Sequence, residues 1–477
     1  MVRVRYAPSP TGFQHIGGVR TALYNYFFAK SQGGKFIVRV EDTDRERYSD
    51  EYLKDLYDTL EWLGIKSDEG PTAGGPFAPY IQSERLAMYQ QAAHNLVKMG
   101  KAYYCFCSPE RLEQVIAEQK AQKKDIQGYD RHCASLSEAE ALERIKKGEK
   151  YVIRLRVPET GESSFDDLIL GRIKRKNRDV PPDPILLKSD GYPTYHLANV
   201  VDDHDMQITH IMRAQEWIAS TPLHILIYDA FGWTPPMYCH LPMVMGSDGL
   251  KLSKRHGSTS LREFKEQGYL KEALINYVTL VGWSYDDKTE FFSMEMLEKC
   301  FDIKKIHTSP AVFDYKKLDW FNGQYIRMKS SEELASLILP YMKKAGIQIT
   351  REEINSYIPL IKERIKVLSD APKMLSFFFS EPQYSEKESF LAKKQPIEEA
   401  VNMLRVAKEV AKGNEDIENS LSEYAKENAI KFNNVFMPLR VAITGSPISP
   451  PLGDILRLLP RETIVNRIEK ALDYLNK

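Results

Sequence analysis

The sequence predicts an α/β fold: a doubly wound parallel sheet, interrupted by an inserted α+β segment and followed by an all-helical region. Three observations predict it. The first hundred residues alternate β-branched runs with helical patterns, as parallel strands joined by crossover helices do. From about 104 to 187 that alternation gives way to a cysteine cluster, a charged helical stretch and short strands, and it resumes near Gly191. From 326 to 477 the apolar periodicity is helical, punctuated by Pro372, Pro382 and Pro396.

Taken in order, a strand over 2–6 leads into a glycine-containing loop and then a helix through Thr21-Ala22-Leu23-Tyr24-Asn25-Tyr26-Phe27, stopped by Gly33-Gly34. Lys35-Phe36-Ile37-Val38-Arg39-Val40 reads as the second strand. A helix from about Ser49 to Leu63, a Gly/Pro-rich loop over 70–79 and a helix from about Ser83 to Met99 follow. Within 104–187, residues 109–123 form a charged helical stretch and Tyr151-Val152-Ile153-Arg154-Leu155-Arg156-Val157 a short strand. The α/β pattern then runs to about 245, and 256–325 mixes helix and loop, ending at Leu318-Asp319-Trp320-Phe321-Asn322-Gly323.

A chain of 477 residues is too long for one hydrophobic core. Its 43% hydrophobic and 28% charged residues are those of an ordinary globular protein. No run of about 18 uncharged apolar residues occurs, and the start, Met1-Val2-Arg3-Val4-Arg5-Tyr6, lacks an apolar signal core. The expected location is the cytoplasm. Five cysteines do not make a disulfide framework in so long a chain; Cys239 and Cys300 stand alone and read as ordinary buried residues. The net charge of zero weighs against a nucleic-acid partner, although a local basic surface on a neutral protein can still meet an RNA. The clearest basic run, Arg172, Lys174, Arg175, Lys176 and Arg178, is either such a surface or the solvent face of a plain strand.

Two short motifs carry chemistry. His15-Ile16-Gly17-Gly18 lies between a strand and a helix. Glycines there let the backbone approach a nucleotide, the helix N-terminus favours negative charge, and the imidazole can donate to a phosphate oxygen. Far downstream, Lys251-Leu252-Ser253-Lys254-Arg255 follows a turn containing Gly246 and Gly249. A basic loop there can close over a triphosphate and balance charge that develops in phosphoryl transfer. A lone His-x-Gly-Gly is usually a turn and a lone basic pentamer a solvated surface; their joint occurrence, in this order, outweighs both readings. A third constellation is Cys105-Phe106-Cys107 followed by Tyr129 and Cys133. Four donors in two closely spaced pairs fit tetrahedral zinc. His132 is adjacent and could replace the uncommon tyrosinate, and three reduced cysteines without metal are the alternative.

The two nucleotide motifs together resemble the signatures of class I aminoacyl-tRNA synthetases. The stretches Arg5-Tyr6-Ala7-Pro8-Ser9-Pro10-Thr11-Gly12, Val38-Arg39-Val40-Glu41-Asp42-Thr43-Asp44-Arg45, Gln82-Ser83-Glu84-Arg85, Asp190 to Asp203, Ile211 to Trp217 and Pro438 to Gly445 are similar to the glutamyl branch, bacterial type, over essentially the whole chain. One departure is Gly18, where the general class I motif has a second histidine; its share of phosphate contact is expected at His15 and Lys254.

The resemblance implies a Rossmann-type catalytic domain in two halves, 1–103 and 188–255, the second ending in the Lys251–Arg255 loop. It implies an acceptor-end-binding insertion at 104–187, a stem-contact region at 256–325 and an all-α anticodon-binding region at 326–477. The implied reaction joins glutamate to its tRNA through glutamyl-adenylate, with ATP as substrate and Mg2+ accompanying it. Arg5 and Arg213 match the family's carboxylate-binding arginines, Tyr195 and Asn199 neighbouring polar contacts, and Glu41 the residue that takes the substrate ammonium; Ala7 and Ser9 line the same pocket. Gly17, Glu216 and Lys254 fall to ATP, and His15, Lys251 and Lys254 to catalysis. A structural Zn2+ on Cys105, Cys107, Tyr129 and Cys133 resembles the site of some glutamyl enzymes. The implied partner is tRNA(Glu), with tRNA(Gln) left open, and Arg364 is a candidate contact to the last anticodon base. The protein is expected to be a monomer.

Three alternatives meet objections in the sequence. Glutamyl-queuosine tRNA synthetases lack the anticodon-reading half, whereas 326–477 reads as helices. In glutaminyl-tRNA synthetases that half is largely β-barrel. A non-catalytic tRNA-binding paralogue would not be expected to keep His15, Glu41, Arg213, Lys251 and Lys254 together.

Overall fold

The computed structural model describes residues 1–124, 127–413 and 416–477. The chain forms two compact units. One comprises Met1–Phe264 with Leu274–Asp314, the other Lys265–Ala273 with Tyr315–Lys477.

The strands of the first unit are β1 (Arg3–Tyr6), β2 (Lys35–Val38), β3 (Ala102–Cys105), β4 (Val152–Leu155), β5 (Glu162–Asp167), β6 (Gly171–Lys176), β7 (Ile185–Leu187), β8 (His210–Ala214), β9 (Met237–Leu241), β10 (Val244–Met245) and β11 (Ala311–Val312). Six of them form one sheet in the order β2-β1-β8-β9-β5-β6. All its pairings are parallel except the last, where β6 returns antiparallel along the outer edge. The doubly wound parallel sheet is therefore present, with helices between its strands as the sequence alternation requires.

Local chemistry sets the crossovers. The helix Ile16–Ser31 buries Val19, Leu23 and Phe27 on one stripe and ties its polar groups to neighbouring backbone, Asn25 Nδ2 donating to the Met212 carbonyl at 3.2 Å. The helix Asp50–Leu63 is capped by Ser49, carries Asp50 and Glu51 in its first turn, and ends at Gly64 in the left-handed region, each favourable for its end.

The segment 104–187 has two parts. Strands β3, β4 and β7 form a separate antiparallel sheet. The hairpin β5–β6 instead extends the main sheet, because β5 alternates buried Ser163, Phe165 and Asp167 with outward Glu162, Ser164 and Asp166 and seats that face on the core beside Tyr238. The basic run lies on exposed β6 and the turn after it. Arg172 sits opposite Asp166 there, and Lys174, opposite Ser164, reaches diagonally to Glu162 at 2.9 Å. Of the two lone cysteines, Cys239 is buried and Cys300 only half-buried.

The second unit is helical among its described residues. Helices Ser331–Lys344 and Arg351–Ile361 start on reciprocal Ser330/Glu333 and Thr350/Glu353 caps and share a core of Leu334, Ile338, Met342, Ile354 and Ile358. Helices Ile397–Lys412, Phe432–Thr444 and Arg461–Asn476 pack around Leu404, Leu439, Ile443, Ile464 and Ile468. This helical region begins at Tyr315 rather than 326: the helix Tyr315–Met328 buries Leu318, Phe321 and Ile326 and runs through the Leu318–Gly323 stretch where the sequence suggested an end.

Candidate active site

The strand order places the functional residues. In an open parallel sheet, ligands bind beyond the carboxyl ends of the strands. Arg5 is near that end of β1, Glu41 lies just past β2, Arg213 is near the end of β8 and His240 near the end of β9. The helix Tyr195–Asp205 adds Tyr195, Asn199, Asp202 and Asp203, a spacing that puts all four on one helical face.

A buried ionic network props the floor. Arg5 Nε and Nη2 donate to the two carboxylate oxygens of Asp203 at 2.9 and 3.1 Å. Arg39 Nη1 donates to Asp203 at 2.7 Å and its Nη2 to Glu41 at 2.8 Å. Arg85, Tyr89 and Gln82 all donate to Asp202. Burying single charges is costly, and burying them in hydrogen-bonded pairs is how the cost is met. Burial by itself would raise the Asp203 carboxyl; the Arg5 and Arg39 guanidiniums overcome that and leave it below its ordinary value. At Glu41 burial wins over the lowering effect of Arg39, and the carboxyl is raised.

Two polar groups above this floor lack complementary charge. Asn199 donates its Nδ2 to Glu41 at 3.1 Å, and its Oδ1 is buried without a partner among the described residues. Arg213 is 5% exposed, and the acceptors it reaches among the described residues are all neutral: His240 Nε2, Tyr195 Oη, His224 Nδ1, the Trp217 carbonyl and Thr221 Oγ1. A buried guanidinium with no carboxylate, beside a raised carboxylate and an orphan amide oxygen, suits an α-amino acid with an acidic side chain. Tyr195 closes one side, its ring 4.6 Å from that of half-exposed Trp217. Ala7 and Ser9 lie on the loop after β1, where the Pro8 carbonyl between them accepts the Glu41 N–H at 3.0 Å.

The two nucleotide motifs, remote in sequence, meet in space. His15 forms an isolated bridge with Ser260, the Ile16 N–H donates to Thr259 O at 3.0 Å and the Leu261 N–H to Gln14 O at 3.0 Å. The imidazole of His15 caps the helix by accepting the Gly18 N–H at 3.3 Å; a Cβ at Gly17 would stand 3.2 Å from that ring. Burial, and then the Lys251 ammonium, lowers the His15 pKa against an opposing Glu216. The basic loop turns at Gly249, in the left-handed region, and is braced by His256, whose Nε2 is 2.9 Å from Asp248 Oδ1 and whose Nδ1 accepts the Ser253 N–H at 3.0 Å. Lys251 is paired with Glu216. Lys254 is exposed and has no ion-pair partner among the described residues.

At the cysteine cluster the three Sγ atoms of Cys105, Cys107 and Cys133 lie within 4.8 Å of one another, Cys107 and Cys133 at 3.6 Å. A tetrahedral ion with sulfur bonds of ~2.3 Å needs sulfurs roughly 3.8 Å apart. Tyr129 Oη is 3.3 Å from Cys105 Sγ and 3.9 Å from Cys107 Sγ, and accepts the Cys133 N–H at 2.9 Å. The donor set thus fits the ion, with Tyr129 rather than exposed His132 beside the sulfurs. Arg364, in the second unit, is exposed and close enough to Arg440 to help burial lower the latter's pKa.

Arg39, Asp167, Asp202, Asp203 and His240 join the site although the sequence alone does not point to them. Arg39, Asp202 and Asp203 lie in stretches that carry the family resemblance, and only the helical spacing from Tyr195 hints at the aspartates; nothing marks Asp167 or His240.

Comparisons with known proteins identify the family. Residues 1–320 match the family described as tRNA synthetases class I (E and Q), catalytic domain, and residues 333–472 match an anticodon binding domain. The chain is 54% identical to a glutamate–tRNA ligase of Borrelia duttonii, over 100% of this chain and 96% of the relative. It is 52% identical to one of Treponema denticola, over 99% of each. Among solved structures it is similar to a glutamate tRNA ligase of Elizabethkingia meningosepticum in complex with its amino acid, with a TM-score of 0.86 and 36% identity over 99% of both chains.

Proposed function

Because the chain belongs to the class I tRNA synthetases and its activity is that of a glutamate–tRNA ligase, we propose that Arg213 binds the γ-carboxylate of glutamate while Glu41 holds the α-ammonium. The supporting observation is the charge inventory. Arg5 is already neutralised by Asp203, whereas Arg213 is buried and meets only neutral acceptors among the described residues. Glutamine would leave that cation without an anion, a mismatch a buried site penalises strongly.

In the first step an α-carboxylate oxygen attacks the α-phosphorus of ATP, the bond to the bridging oxygen of the β-phosphate breaks, and pyrophosphate leaves. His15, Lys251 and Lys254 fall at the triphosphate, where an imidazole N–H donor and two ammonium charges placed in advance stabilise the transition state. Gly17 and Glu216 line the nucleotide side, and Mg2+ enters with ATP. In the second step the 2′-hydroxyl of the terminal tRNA adenosine attacks the glutamyl carbonyl, and AMP departs with the adenylate's oxygen. The resemblance supplies these steps, and the nearness of Lys251 to His15 supports them.

For the cysteine cluster the reading is a structural Zn2+ on Cys105, Cys107, Tyr129 and Cys133, supported by the convergence of sulfurs and phenol oxygen. Such an ion would pin β3 to the loop holding Cys133. Arg364 reads the last anticodon base in this proposal, supported by its exposure near a second arginine, Arg440. The partners are then tRNA(Glu) and, where that base is tolerated, tRNA(Gln).

Arg213→Gln tests the central assignment. The expected result is a rise of a hundredfold or more in the Michaelis constant for glutamate, about 3 kcal/mol for loss of a charge-assisted pair, with the constant for ATP unchanged. An unchanged glutamate constant and turnover would move the carboxylate to Arg5.

A further inference from the structure

Arg213 is aimed by a carboxylate that does not touch it. On adjacent parallel strands, Arg213 of β8 and His240 of β9 are register partners, so their side chains project from one face. Arg213 Nε donates to His240 Nε2 at 3.1 Å. The opposite ring nitrogen, His240 Nδ1, is 2.7 Å from Asp167 Oδ2, and both side chains are wholly buried. Asp167 itself has no slack. Its Oδ2 also accepts the His240 N–H at 3.0 Å, and its Oδ1 accepts the N–H groups of Ile169 and Leu170, each at 2.9 Å.

The proton bookkeeping follows from these contacts. An ionised carboxylate only accepts, so the proton of a neutral His240 resides on Nδ1, and Nε2 presents a lone pair. A guanidinium only donates, and its Nε–H meets that lone pair. The ring and Thr221 Oγ1, which accepts Arg213 Nη2 at 2.7 Å, fix the plane of the guanidinium. Nη1 makes only the longer contacts, at 3.3 and 3.5 Å, so the edge between Nη1 and Nη2 is the one left for a carboxylate.

The intervening imidazole matters for charge. Arg5 shows the alternative: a carboxylate placed directly on a guanidinium, bidentate and permanent. The same arrangement at Arg213 would supply an internal counterion that competes with the substrate. A neutral histidine gives the guanidinium orientation without neutralising it.

Resting on the assignment of Arg213 to the substrate carboxylate, we infer that His240, held in one tautomer by Asp167, is a positioning residue that sets the glutamate-binding geometry and keeps Arg213 available as an unpaired cation. Asp167 belongs to this unit although it enters from the β5–β6 hairpin.

The test is steady-state aminoacylation by the full chain, varying glutamate and ATP separately, with thermal unfolding as a folding control. His240→Leu removes the acceptor and is expected to raise the glutamate Michaelis constant tenfold or more, with the ATP constant within twofold. His240→Gln, which keeps an acceptor oxygen near Nε2, is expected to recover most of that loss. Asp167→Asn frees the ring to take the other tautomer and point an N–H at Arg213; a glutamate-selective loss of similar size is expected. Glutamate constants within twofold of the parent in folded His240→Leu or Asp167→Asn would overturn the inference. So would equal rises for glutamate and ATP with no rescue by glutamine, which is how a merely structural role behaves. If His240→Leu does not fold, Asp167→Asn decides. Arg213→Gln run in parallel separates the two levels: no effect there removes the carboxylate assignment itself, whereas a large effect there beside silent His240 and Asp167 variants removes only the positioning role.

Discussion

At the scale of single residues, the site contrasts charges that are satisfied with charges that are withheld. Arg5, Arg39 and Arg85 are paired with Asp202, Asp203 and Glu41 inside the protein, which makes the floor rigid and poor in free charge. Arg213 and Lys254 are the exceptions, one buried and one exposed. Lys254 meets no described anion, whereas Lys251 is held by Glu216, so Lys254 is the ammonium more readily delivered to a triphosphate. Lys254→Ala is therefore expected to leave the fold intact and lower adenylate formation at least a hundredfold, roughly 3 kcal/mol of transition-state stabilisation. ATP–pyrophosphate exchange with glutamate and tRNA present measures it, and a loss below tenfold would pass the role to Lys251 or Arg255. Most of the proposed site was legible in the sequence because its residues sit in short motifs, Arg213 and Lys254 among them. His240 and Asp167 were not legible. Each belongs to a plain strand, and only the parallel register of β8 with β9 brings His240 to Arg213.

At the scale of elements, the segment 104–187 divides its work. The sequence marked it by a break in strand–helix alternation, and that break is real for β3, β4 and β7. It hid the return of β5 and β6 to the main sheet, because a hairpin reads locally the same whichever sheet it joins. The cysteine cluster belongs to the first part: Cys105 ends β3, and Tyr129 and Cys133 approach it from a loop. That loop packs on β3 through a small cluster built around these donors, Tyr103, Cys105, Tyr129 and Cys133, so a metal bridging them would contribute directly to its folding. We expect one zinc per chain, structural because four protein donors leave no position for water. Cys107→Ser should lose the metal and destabilise this small sheet, with ATP affinity nearly normal. Elemental analysis of chelator-free protein is the check. A content near zero would remove the site, and a full content in Tyr129→Phe would transfer the fourth position to His132 or water.

At the scale of the whole molecule, the division into two compact units separates the chemistry from the reading of the anticodon. The residues proposed for glutamate and ATP all lie in the first unit, and Arg364 lies in the second, in the region matched by an anticodon binding domain. A net charge of zero means that tRNA affinity must come from local cations rather than a global field. The pairing of Arg172 and Lys174 on β6 with Asp166 and Glu162 of β5 lowers what that strand can offer, and it favours exposed groups without an ion-pair partner among the described residues, such as Arg364. Substitution in the second unit should then act on tRNA alone. Arg364→Ala is expected to raise the Michaelis constant for tRNA(Glu) while those for ATP and glutamate stay within twofold. If the contact is to a base, the ratio of charging between purified tRNA(Glu) and tRNA(Gln) should change as well. If it is only to a phosphate, both tRNAs should weaken equally, with the salt dependence of binding falling by about one ion. An unaltered tRNA constant for both substrates would place the anticodon contact on other residues of the helical region.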